Sequence, residues 1–123
     1  MIKIGTHTTV ADNTGATETK IIGTFGGTRR NVIRLGDIVK ISIQAAKPMS
    51  GLKKGDKMRA VVVRVTKEQR RADGTHIRFG DNSVVILDGN TMEPKGTRIF
   101  GPVARELKAF GFDKITYLAP EVL

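Results

Sequence analysis

A chain of 123 residues with 39% hydrophobic and 27% charged side chains has the length for one domain with a real core. It is too apolar for a basic disordered tail. It contains no cysteine, which excludes a disulfide framework and every thiolate metal site. Its 21 Lys+Arg against 12 Asp+Glu leave a net charge of +9 and a pI near 10.3, which favours a polyanionic partner, most commonly nucleic acid.

Short apolar bursts separated by Gly, Asp and Asn turns run along most of the chain, the pattern of an all-β sandwich or barrel. The first burst, Thr8-Val10, ends at Asp12-Asn13-Thr14-Gly15, where Asp12 can bond its own turn backbone. A second runs from Thr19 to Phe25 and is broken by Gly26-Gly27. In the third, Ile38-Ile43, Val39, Ile41 and Ile43 alternate with Lys40 and Ser42, so the two sets face opposite ways. The fourth, Ala60-Val65, is apolar on both faces until Arg64 and belongs in the centre of a sheet.

Thr75-Phe79 and Val84-Leu87 follow, parted by Gly80-Asp81-Asn82. Asp73-Gly74 predicts a hairpin between Val65-Ala72 and Thr75-Phe79, because both turn positions accept positive φ. After Pro102 the pattern changes. Val103, Leu107 and Phe110 share one helical face, with Pro102 at the first helical position, Gly111 past the end and Phe110 as the docking anchor. A helix of two to three turns is unstable alone, so it must dock on the barrel.

Little points to catalysis. His7 and His76 have no second ligand at metal spacing, and Ser42, Ser50 and Ser83 lack nucleophile signatures. Most of the aspartates adjoin Gly or Asn and are explained by turns. Gly26-Gly27-Thr28-Arg29-Arg30 lacks the Walker spacing and its Lys-Ser/Thr ending. The expectation is a non-enzymatic protein without cofactor or metal. No stretch approaches the roughly 18 apolar residues of a membrane span. Met1-Ile2-Lys3-Ile4-Gly5 does not read as a signal peptide, so an intracellular protein is expected.

The cations are more informative. Arg29, Arg30 and Arg34, then Lys47, Lys53, Lys54 and Lys57, then Arg64, Lys67, Arg70 and Arg71 form three clusters, each at a turn, strand end or hairpin tip. Loops standing out from a rigid barrel can follow a folded phosphate backbone, and arginine forks bind phosphate bidentately. Aromatic stacking platforms are scarce: there are five Phe, one Tyr and no Trp. Phe100, Phe110 and Phe112 fall in the tail, where docking a helix accounts for them. Shape and phosphate recognition of a folded RNA therefore fits better than sequence-tolerant single-strand binding.

Ala60-Val61-Val62-Val63, Asp73-Gly74, Phe79, Asn82 and Val85-Ile86 together resemble the signature of the universal large-subunit ribosomal protein L-fourteen family. Val10-Ala11-Asp12-Asn13-Thr14-Gly15-Ala16, Leu35-Gly36-Asp37-Ile38, Lys53-Lys54-Gly55-Asp56 and Gly96 through Val103 extend the likeness. The ending, Leu118-Ala119-Pro120-Glu121-Val122-Leu123, resembles the bacterial and organellar branch.

The resemblance implies a mainly β fold over 1–123: a five-stranded closed barrel, a projecting β-ribbon and a C-terminal segment at about 102–118 with two short helices. The second helix, around Asp113-Tyr117, comes from the resemblance alone. It implies a structural constituent of the large subunit, on a cytoplasmic or organellar ribosome. The implied partners are large-subunit rRNA, large-subunit ribosomal protein nineteen, small-subunit rRNA across the interface and a ribosome-silencing factor. Its rRNA contacts would fall on Arg29, Arg30, Lys53, Lys54, Arg64, Lys67, Arg70, Arg71 and Arg78, with Arg34, Lys47 and Lys57 of the same clusters added on charge alone. Thr97, Arg98, Arg105 and Lys114 would face protein partners and the other subunit. Val61-Val63 should fill the barrel and Phe79 pack at the ribbon's base. One departure is Thr17-Glu18-Thr19, where the bacterial family is usually basic and Glu18 would repel phosphate. The alternative reading is a free OB-like RNA-binding or translation factor; a small hydrolase ranks third.

Overall fold

The computed structural model describes residues 3–24, 33–48, 50–89 and 91–123. In chain order the strands are β1 (His7–Val10), β2 (Ala16–Thr24), β3 (Ile38–Ala46), β4 (Lys57–Arg64), β5 (Gln69–Arg70), β6 (His76–Ile77) and β7 (Ser83–Ile86). Five of them close a barrel in the order β1-β2-β3-β4-β7. Neighbours are antiparallel except at the closure, where β1 and β7 run parallel with Thr9 opposite Ser83. Across β1 and β2 the buried hydroxyls of Thr8 and Thr19 lie 2.8 Å apart, a satisfied polar pair inside an apolar wall.

The alternation expected for β3 is present: Val39, Ile41 and Ile43 are buried. They meet Ile21, Ala60, Val62, Val84 and Ile86 inside the barrel. The Val-rich run of β4 does not all point inward, contrary to the expectation for Val61-Val63. Val62 faces the barrel interior, whereas Val61 and Val63 join Val85 and Leu87 in a second core on its outer face. Side chains alternate along a strand, so three consecutive residues cannot share one face. The tail supplies the cover that makes the outer face apolar.

That tail also departs from expectation. Pro102–Val103 forms β8, not the first turn of a helix. It pairs in parallel with β9 (Glu121–Val122), and the helices between them are α1 (Glu106–Ala109) and α2 (Asp113–Leu118). Because α1 starts at Glu106 and spans four residues, the helical phase linking Val103 to Phe110 never develops. Phe110, the expected anchor, is 54% exposed, and Phe112 at 1% takes its place with Leu107 and Ile115. Gly111 does lie just past α1, at φ +93°, as the C-terminal glycine rule predicts.

The ribbon of β5 and β6 turns at Gly74, whose φ is +88°. Phe79, 8% exposed, packs at its base, where its N–H donates to the Val65 carbonyl. The ribbon does not stand free. The Arg71 guanidinium ion-pairs with Glu106 of α1 at 2.5 Å and donates to the Leu123 carbonyl, while Arg105 meets Asp73 at 2.7 Å. These contacts tie the hairpin to the tail.

Candidate nucleic-acid interface

Two loops at the ends of barrel strands are built by the same local device. In Arg34-Leu35-Gly36-Asp37, the Asp37 carboxylate accepts the Arg34 N–H at 2.8 Å and Gly36 takes φ +83°. In Lys53-Lys54-Gly55-Asp56, Asp56 accepts the Lys53 N–H at 3.0 Å and Gly55 takes φ +95°. Glycine is needed at the third position because a side chain there would be strained. The acid at the fourth position holds its turn by a backbone amide and leaves the basic side chain at the first position directed by the loop.

The 47–56 connection is further anchored at its ends. The Lys47 N–H donates to the Gly15 carbonyl at 2.7 Å, and Ser50 Oγ donates to the Lys47 carbonyl at 2.8 Å. An open groove lined by Lys47, Lys53 and Lys54 with Ala46 and Leu52 runs along this connection. Lys47, Lys53, Lys54 and Lys57 are all exposed, as are Arg34, Lys67, Arg70 and Arg78. Among the described residues none of these eight forms an ion pair. Their charge is thus available to an anion at the surface. Arg29 and Arg30 lie outside the described residues.

Two of the expected contact residues are committed to the fold instead. Arg64 is buried, with 11% of its side chain exposed, and its Nε lies 2.9 Å from Asp81 Oδ1. It donates to the Phe100 carbonyl at 2.9 Å, the Pro102 carbonyl at 3.2 Å and Ser83 Oγ at 3.0 Å. Arg71, equally covered, is held by Glu106 and Leu123. Both corrections have one cause: a sequence shows an arginine's position along a strand, not which carbonyls the rest of the chain brings to its guanidinium.

Of the residues expected to face protein partners, Thr97 and Arg98 are positioned by Asn13. Its Oδ1 accepts the Thr97 and Arg98 N–H groups at 2.9 and 3.1 Å, and its Nδ2 donates to Thr97 Oγ1 at 3.0 Å. Sequence reading gave Asn13 only a turn role, and no local signal points 84 residues ahead to Thr97. The Arg98 guanidinium stands 5.9 Å from the centroid of the Phe100 ring, which is 46% exposed. Arg105 pairs with Asp73, and Lys114 lies 3.7 Å from Glu93, both in solvent. Glu18, which departs from the basic pattern, lies 3.1 Å from His7 Nδ1.

Two carboxylates have shifted acidity. Asp12 is buried, which pushes its carboxyl up, against hydrogen bonds from the Thr14 hydroxyl, the Ile86 N–H and the Thr14 N–H. It closes the turn after β1 and ties that turn to β7. Asp73, at the ribbon tip, is lowered to about 2, chiefly by the Thr75 hydroxyl and amide and also by Arg105. A depressed carboxyl stabilises the folded tip fully above its ordinary value of 3.8. That stabilisation is lost as pH falls through about 2. The Thr75 amide resonance is therefore expected to hold its position from neutral pH to about pH 4 and to move only below, with a midpoint near 2. A midpoint near 4 would show that the tip is open in solution.

No helix among the described residues is long and apolar enough to cross a membrane, and no group of His, Asp or Glu there could hold a metal ion. The family model described as Ribosomal protein L14p/L23e matches this chain across residues 1–123. The chain belongs to that family of structural proteins of the large ribosomal subunit.

Proposed function

We propose that this chain binds large-subunit rRNA through its exposed loop cations and supports contacts across the subunit interface. The observation that carries this is the state of the basic loops. Asp37 and Asp56 brace the backbone of their own turns, and eight lysines and arginines are exposed without an ion pair among the described residues. The braced backbone need not be ordered when Arg34, Lys53 and Lys54 meet phosphate, and contacts of this kind position a folded backbone rather than read one base sequence. The Asn13-braced segment with Thr97, Arg98 and Phe100, together with Arg105 and Lys114, forms the face proposed for protein neighbours and small-subunit rRNA. Ribosomal protein nineteen and a silencing factor are the protein neighbours that the family resemblance suggests.

Binding of the full chain to large-subunit rRNA, measured across a salt series, tests the reading. Log affinity is expected to fall linearly with log salt, by roughly 0.7–0.9 per neutralised phosphate. Arg70→Ala should make the slope shallower by about one unit. Lys53→Ala should weaken binding while leaving the melting temperature unchanged. An affinity indifferent to salt, or unchanged in both variants, would remove these loops from the interface.

A further inference from the structure

A cleft of about 290 Å³ lies between the ribbon and α1, with Leu35, Ile77 and Phe110 as its apolar lining and Arg34 and Arg70 beside them. Ligand pockets span roughly 300–1,000 Å³, so this one suits a single small flat group. Its acids are engaged: Glu106 is paired with Arg71 at 2.5 Å, and Asp37 accepts the Arg34 N–H at 2.8 Å. Among the described residues the exposed Arg34 and Arg70 form no ion pair.

Phe110 is the unusual member. Its ring rests on Gly36, where an added Cβ would stand 2.5 Å from a ring carbon, so the ring lies directly against the backbone of that turn. Yet the residue is 54% exposed. The other aromatic side chains among the described residues do not share this setting. Phe79 and Phe112 are buried, Phe100 already lies under Arg98, and Tyr117 is 87% exposed and lines no cleft with Arg34 and Arg70. A half-exposed ring lining a cleft with exposed arginines is the arrangement by which proteins take up an unstacked base, with the ring stacking on it and the cations holding the adjoining phosphate.

We propose that this cleft receives one unstacked nucleotide of the RNA partner, its base against Phe110 and its phosphate on Arg34 and Arg70. The proposal rests on the rRNA-binding reading and gives it a specific contact. It also changes the role of Phe110, which the tail does not need as an anchor because Phe112 fills that place.

The test uses the full chain and purified large-subunit rRNA. Phe110→Leu keeps an apolar contact with Gly36 but removes the π-face. It is expected to weaken binding about tenfold with no change in salt slope, since no charge is lost. Phe110→Trp should restore the affinity. Photo-cross-linking from p-benzoylphenylalanine at position 110, in assembled large subunits, should then label a nucleotide. If Phe110→Leu binds like the unaltered chain while Arg70→Ala and Lys53→Ala bind more weakly, the cleft holds no nucleotide and the rRNA reading stands. Cross-linking to protein alone would likewise overturn the proposal, by making the cleft a protein contact. Failure of the unaltered chain to bind rRNA at low salt would remove both readings together.

Discussion

Replacing Val62 by aspartate is expected to abolish the cooperative melting transition of the isolated protein. Val62 is fully buried in the barrel interior with Val39, Ile41, Val84 and Ile86. Both its backbone groups are bonded to the 36–37 segment, the carbonyl accepting from the Gly36 N–H at 2.9 Å and the N–H donating to the Asp37 carbonyl at 3.1 Å, so the strand cannot turn the side chain out. A carboxylate placed there has no partner, and the effective penalty is several kcal/mol, against a total stability of about 5–15 kcal/mol for a domain. Circular dichroism melting of Val62→Asp beside Lys53→Ala gives the contrast. Lys53 is exposed on a turn held by backbone bonds, so its variant should melt with the parent protein. Equal melting of the two would mean that β4 is not seated as described.

Arg64→Ala is expected to destabilise the fold by about 1–3 kcal/mol, the cost of leaving covered hydrogen-bonding groups without their partner. The guanidinium joins β4 to the Asp81–Ser83 turn and to the carbonyls of Phe100 and Pro102 at the entry to the tail. Its loss removes the side-chain donor from the Phe100 and Pro102 carbonyls at once. Arg64→Lys should recover little, because an ammonium group cannot reproduce a planar fork that reaches acceptors on several sides. The salt dependence of RNA binding separates this role from phosphate contact. A phosphate-binding Arg64 would give Arg64→Ala a normal melting temperature and a shallower salt slope. The structure predicts the reverse for the stably folded fraction: a large drop in melting temperature and an unchanged slope. The same logic applies to Arg71 on a smaller scale, since it secures the ribbon to α1 through Glu106.

The parts of the site legible in advance were those governed by neighbours in the chain. The Asp73-Gly74 turn follows from positive φ at Gly74 and a carboxylate that bonds Thr75 two residues on. The basic loops were visible because Lys53-Lys54 and Arg70 stand at turns and strand ends. What could not be read was the partner of each arginine. Arg64 and Arg70 sit six residues apart in the same charge-rich stretch, yet one is buried against Phe100 and Pro102 and the other is exposed. Asn13 was likewise hidden, because its three hydrogen bonds go to a segment more than eighty residues away.

For this protein, local chemistry in the sequence by itself determined the strand pattern of the barrel. Alternation in Val39, Ile41 and Ile43 demands one buried and one wetter face, and turn residues between bursts of this length permit little but antiparallel neighbours. It also determined that the surface would be basic and that β4 would be apolar on both faces. Only the tertiary structure decided what does the covering. Val61, Val63, Val85 and Leu87 need an apolar lid, and a four-residue helix has no stability of its own to announce where it begins. The lid's position is set instead by Phe112, Leu107 and Ile115 reaching that outer face, and by β8 pairing with β9. That docking moved the anchor from Phe110 to Phe112. It left the Phe110 ring half in water on Gly36, beside Arg34 and Arg70, because burial is decided by where distant segments meet.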